Sequence, residues 1–197
     1  DLELIEAVPS KIVETGSVTI PSGVLFEIIR KLPEGSEVSV ETSKDDSKVT
    51  IKSDKSKFSL STLPSADFPL MSGGEMPAKF TIPANLLSRM IDKTKFAIST
   101  EETRFYLNGI YFHIATNKNG KKVLRAVATD GHRLALVDAD LPKDAEHMPS
   151  VIVPRRVVME MRRMLDDVGS EITVEVSETK ARFSFGEAIM TSKLIDG

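Results

Sequence analysis

The chain has 197 residues, 41% hydrophobic and 28% charged, with a net charge of −3 and no cysteine. This is the balance of a folded globular chain and argues against wholesale disorder; no apolar run approaches the roughly 20 residues that span a bilayer. Without cysteine there is no disulfide, thiolate metal site or cysteine nucleophile. A mildly acidic chain is not a generic polyanion binder, so any DNA contact must rest on locally arranged charge.

Asp1-Leu2-Glu3-Leu4 lacks the basic and apolar regions of a signal peptide, and residues 1–8 read as a strand. Thr19-Ile20-Pro21 then leads into an amphipathic stretch ending at Leu32. It predicts a short strand and a helix with proline at its first position, where the missing N–H costs nothing. Three alternating strands follow, at Glu37-Val-Ser-Val-Glu, Lys48-Val-Thr-Ile-Lys and Lys57-Phe-Ser-Leu-Ser. Three prolines and a Gly-Gly pair in residues 63–77 mark a linker, placed at 69–77.

The pattern then restarts. Thr81-Ile82-Pro83 opens a helix to Thr94, with longer strands expected at 105–114, 122–129 and 132–138. They are joined by Asn117-Lys-Asn-Gly120 and by Asp130-Gly131, a two-residue hairpin signal. Ile152-Val153-Pro154 opens a third helix to Leu165, with strands at Glu171-Ile-Thr-Val-Glu-Val, Ala181-Arg-Phe-Ser-Phe and Ile189-Met-Thr-Ser-Lys-Leu.

These are three copies of one β-α-β-β-β unit, at offsets of 62 and 71. Val24, Leu86 and Val157 coincide, as do Leu25, Leu87 and Val158, and Ile28, Met90 and Met161. The shared spacing puts these positions on one helical face. No linker separates copies two and three, so they read as one domain. Copy one reads as the second half of an earlier domain whose last front-half strand is 1–8, and the chain as a fragment.

The three helical windows carry charges of +1, +2 and +1, from Arg30 and Lys31, from Arg89, Lys93 and Lys95, and from Arg155, Arg156, Arg162 and Arg163 against their acids. That leaves −7 on the rest of the chain. Basic helices on an acidic body suit a surface that faces phosphate on one side, through the backbone and without sequence preference. Solvated charge on an amphipathic helix is the competing explanation.

Little here looks catalytic. Asp1 and Glu3 have a spacing used by some metal-dependent nucleases, but turn chemistry explains it better. His113, His132 and His147 are at no metal-ligand spacing. His132-Arg133-Leu134 places a basic pair beside an apolar side chain at a strand end, which suits a small pocket for a peptide with a hydrophobic anchor.

Ala128-Thr-Asp-Gly-His-Arg-Leu-Ala135 resembles the bacterial sliding clamp family, the beta subunit of DNA polymerase III. So do Leu32-Pro-Glu-Gly35, Arg104-Phe-Tyr-Leu-Asn-Gly109, Val151-Ile-Val-Pro-Arg155, Thr191-Ser-Lys-Leu-Ile-Asp-Gly197 and the run from Phe58 to Pro69, in the family's order over essentially the whole chain. The resemblance implies an α+β DNA clamp fold, with helices lining the hole of a two-subunit ring and sheets outside. Residues 1–68 would be the second half of domain one and residues 78–197 most of domain two. It also implies a non-catalytic, cofactor-free processivity factor of the bacterial cytoplasm. Its partners would be double-stranded DNA, the polymerase catalytic subunit, the clamp loader, other proteins with a clamp-binding motif, and a second subunit. Arg104, Leu107, Thr129, Gly131, His132, Arg133 and Leu134 match the partner-peptide pocket. Arg30, Lys31, Arg155, Arg156 and Arg163 match the DNA-facing surface, with Phe105 and Tyr106 near DNA. Ser22-Gly23 stands where copy three has Arg155-Arg156, and no third domain completes the pocket. A protein-only repeat scaffold is the remaining alternative.

Overall fold

The computed structural model describes residues 1–71, 74–166, 169 and 171–196. Ser72 and Gly73 of the expected linker, Asp167 of the third charged window, Val168, Ser170 and Gly197 lie outside the described residues. Residues 1–8 and 71–197 form one compact unit and residues 9–70 another. Among the described residues no helix is long and apolar enough to cross a membrane.

In the larger unit, β5 (Ala78–Pro83), α2 (Ala84–Thr94), β6 (Gly109–Thr116), β7 (Lys122–Thr129) and β8 (Leu134–Asp140) form copy two. β9 (Val151–Pro154), α3 (Arg155–Met164), β10 (Glu171–Val176), β11 (Lys180–Phe185) and β12 (Ala188–Lys193) form copy three. The element order is the expected β-α-β-β-β, but the copies interlock. β5 pairs antiparallel with β10, and β9 pairs antiparallel with β6, so each lead-in strand completes the other copy's sheet. Gly109 is fixed by that exchange, because a Cβ there would collide with the Val153 carbonyl on β9. Alternating side chains from both sheets and the inner faces of α2 and α3 then enclose one continuous core, from Phe80 and Ile82 through Met90, Phe112 and Met161 to Phe183 and Met190.

β1 (Leu2–Glu6) pairs with β12, giving the five-stranded order β1-β12-β11-β10-β5 beside the four-stranded β8-β7-β6-β9. The strand expected at residues 1–8 to close an earlier domain therefore runs over Leu2–Glu6 and is hydrogen-bonded into copy three's sheet. The smaller unit has α1 (Ser22–Lys31) and a three-stranded sheet of β2 (Ser39–Thr42), β3 (Lys48–Ser53) and β4 (Ser56–Ser61). Thr19 and Ile20 do not form the expected strand. In the other copies that strand exists by pairing with a second unit; here the Thr19 hydroxyl instead donates to the Leu63 carbonyl (2.7 Å) and accepts the Leu63 N–H (2.8 Å).

Three local expectations change. Pro21, Pro83 and Pro154 sit one residue before the first helical residue, with extended ψ of 111°, 132° and 147°. Their fixed φ suits a strand's last residue as well as a helix's first. The strand expected from residue 105 starts at Gly109, since Glu102–Leu107 coils in short 3₁₀ turns and Leu107 accepts the Ser99 N–H (3.1 Å). The expected two-residue hairpin is a four-residue loop of residues 130–133, because Thr129 pairs with Leu134.

Candidate functional site

Two groups of candidate residues lie on the larger unit. The first is built on the loop between β7 and β8. The Asp130 carboxylate accepts the N–H groups of His132 and Arg133, both at 3.0 Å, and the Arg133 Nε–H at 2.9 Å. The His132 and Arg133 amides, ahead of the Arg133 side chain, hold the Asp130 carboxyl down at about 2. Thr129 Oγ1 donates to the Arg133 carbonyl (2.7 Å) and accepts the Gly131 N–H (3.1 Å). This competition by short polar side chains for backbone groups widens the turn to four residues.

Arg104 braces the loop from the other side. Its guanidinium forms a two-point ion pair with Glu101, 2.7 Å at Nε, and that hydrogen bonding lowers the Glu101 carboxyl and raises the arginine. A Cβ on Gly131, which has φ of +88°, would stand 2.5 Å from Arg104 Nη1. Glycine serves there both for its left-handed backbone and for the arginine's approach. Leu134 follows, 63% exposed, with Leu136 beside it on the same strand face.

Phe105 and Tyr106 meet edge to face, ring centroids 5.7 Å apart, and both are exposed. Together with Leu107, Thr129, Tyr111, Val127 and others they line an open groove of about 950 Å³. The structure thus brings two residues expected near DNA and two expected in the peptide pocket to one groove. The Arg155 N–H donates to the Asn108 carbonyl (2.8 Å), which ties this segment to the start of α3.

The second group is the helix cations, and they divide in two. Arg155 and Arg156 at the start of α3, and Arg89 and Lys93 on α2, are exposed with no acidic partner among the described residues. Arg163 pairs with Glu160 (2.9 Å) one turn earlier on its own helix. Arg162 joins Asp92 (3.0 Å) to Asp166 and so ties α3 to α2, and Lys95 pairs with Asp92. Burial pushes the Asp92 carboxyl up, but the hydrogen bonds from Lys95 and Arg162 leave it below its ordinary value. In the smaller unit Arg30 and Lys31 both face Glu27, at 3.0 and 3.7 Å. Arg89 and Lys93 add to the charge of the second helical window without standing out in it. Nothing in the sequence sets them apart, since Asp92 stands one turn after Arg89 and the paired Arg162 likewise has no acid one turn earlier.

Asp1 pairs with Lys193 (2.6 Å) and Glu3 accepts the Met71 N–H (3.1 Å). Among the described residues no group of three or more His, Cys, Asp or Glu could hold a metal ion.

The family profile for the DNA polymerase III beta subunit central domain matches residues 81–197, and that for its N-terminal domain matches residues 1–72. The chain is similar to the beta sliding clamp of Caulobacter vibrioides, 48% identical over 197 residues covering all of this chain and 53% of the relative. It is similar to that of Escherichia coli K12, 39% identical over 93% of this chain and 48% of the relative. It therefore spans about half the length of the curated relatives it matches. Among solved structures, Caulobacter crescentus pol III beta superposes with a TM-score of 0.95 at 47% identity, over all of this chain and 53% of that one. The Bartonella birtlesii DnaN sliding clamp, DNA polymerase III subunit beta, bound to griselimycin, superposes at 0.93 with 46% identity, over 100% and 52%.

Proposed function

Since the chain belongs to the DNA polymerase III beta subunit family of sliding clamps, we propose that the protein it represents encircles duplex DNA as a non-catalytic processivity factor. In this reading residues 1–68 are the second half of domain one, 69–77 the linker and 78–197 most of domain two, and the ring is a dimer. The polymerase, the clamp loader and similar partners are tethered at the Arg104–Leu134 pocket, and the ring works in the bacterial cytoplasm.

The observation that carries the reading is the set of cations, Arg89, Lys93, Arg155 and Arg156, that have no acidic partner among the described residues, on helices of a chain whose net charge is −3. Contacts to phosphate through such side chains carry no sequence information and weaken with salt, which suits sliding. Holding by topology would then replace holding by affinity. Asp1 and Glu3, engaged with Lys193 and the Met71 amide, support a nuclease poorly.

The family-length protein loaded on circular DNA should survive a high-salt wash and be lost when the circle is linearised. Equal retention on linear DNA would rule out encirclement. In the same protein, Leu134→Asp should abolish capture of a polymerase tail peptide; unchanged capture would remove this loop from the pocket.

A further inference from the structure

Phe96 lies in the single 3₁₀ turn Lys95–Ala97 after α2, between the buried Thr94 and the buried pair Ala97 and Ile98. Its backbone is thus fixed, yet the residue is 56% exposed. The Arg133 guanidinium sits over that ring, 5.5 Å from its centroid. Asp130 holds the edge of the same guanidinium, at Nε, at 2.9 Å. Arg133 is therefore pinned on one face by an aromatic surface and on one edge by a carboxylate.

The consequence falls on Leu134. Successive side chains at a strand start point to opposite faces. Leu134 opens β8, paired with Thr129, and stands exposed on the face opposite the buried Ala135, while Arg133, the last residue of the loop, is held over Phe96 immediately before it. The loop has two braces: Arg104 against Gly131 on one side and Phe96 against Arg133 on the other. Arg104 and Gly131 both fall in segments that resemble the family, although their contact does not show in the sequence; Phe96 falls in none, since it follows the helix's apolar stripe without belonging to it.

We propose that Phe96 is a positioning residue of the partner-peptide pocket, holding Arg133 so that the loop of residues 130–133 presents Leu134. This rests on the peptide-pocket reading above. A cation over an exposed aromatic face contributes modestly, so the expected effect is graded: loss of the ring weakens binding about two- to fivefold.

The test is calorimetric titration of the family-length protein with griselimycin, the ligand of the Bartonella structure. Phe96→Ala should weaken binding about two- to fivefold with an unchanged melting temperature, and Phe96→Tyr, which keeps the π face, should restore it. In an Arg133→Ala background Phe96→Ala should add nothing, which a general loss of packing would not reproduce. Wild-type affinity in Phe96→Ala, or an undiminished loss in the Arg133→Ala background, overturns the proposal. Leu134→Asp separates the positioning role from the pocket itself. If it weakens griselimycin binding while Phe96→Ala does not, only the positioning role fails; if it has no effect, the pocket reading fails and takes the role with it.

Discussion

Val24 and Val157 hold the same place in the repeat's helix, yet Val24 is 47% exposed and Val157 2%. Leu25 against Val158, and Ile29 against the fully buried Ile91, show the same contrast. At these shared positions the helices carry the same kind of apolar side chain; they differ in what covers them. Copies two and three exchange lead-in strands and close over one core, whereas α1 has only its own three-stranded sheet. One β-α-β-β-β unit makes more apolar surface than its own sheet can bury, so the stable element of this fold is a pair of units.

The largest test of that contrast is Met161→Ala, which removes a fully buried side chain from the shared core. It should cost about 3 kcal/mol in urea denaturation; a cost below about 1 kcal/mol would mean the copies do not share one core. Gly109→Ala comes next, because the new Cβ must displace the β9 backbone, at about 2 kcal/mol. Val157→Ala should cost about 1.5 kcal/mol, whereas Val24→Ala should cost under about 0.5 in this chain. Measured in the family-length protein, the Val24 value should rise toward that of Val157. If it stays small, copy one has no partner unit there.

The smallest expected effect is local. Asp130 has its pKa lowered to about 2, so its contribution is complete above the ordinary carboxylate pKa near 4 and is lost as pH falls from there through about 2. The protection factors of the His132 and Arg133 amides, taken against their intrinsic exchange rates, should fall over that window with those of the core unaffected. Asp130→Asn should flatten the response.

The repeat was legible because three prolines and three apolar helix faces recur in register. Strand exchange was not, since alternation in β5 and β9 says that each pairs and not with what. The site divides in the same way. Asp130, Gly131 and Arg104 lie within family segments, and the loop's polar side chains announce a turn. Its four-residue length depends on Asp130 and Thr129 outcompeting a tight hairpin, a balance the Asp-Gly pair alone misjudges. Which helix cations are free was hidden as well, because one-turn ion pairs such as Arg163–Glu160 depend on rotamers, and Arg162–Asp92 on the packing of two helices.

If DNA is held through the cations of α2 and α3 that have no acidic partner among the described residues, and not through those paired with a carboxylate on their own helix, the salt dependence of duplex binding by the family-length protein is the direct measurement. Replacing Arg89, Lys93, Arg155 and Arg156 by alanine should reduce the slope of log K against log salt by roughly 0.9 for each phosphate that is no longer neutralised. Replacing Arg30, Lys31 and Arg163 should change it little. Equal reductions per residue from the two sets would contradict that division.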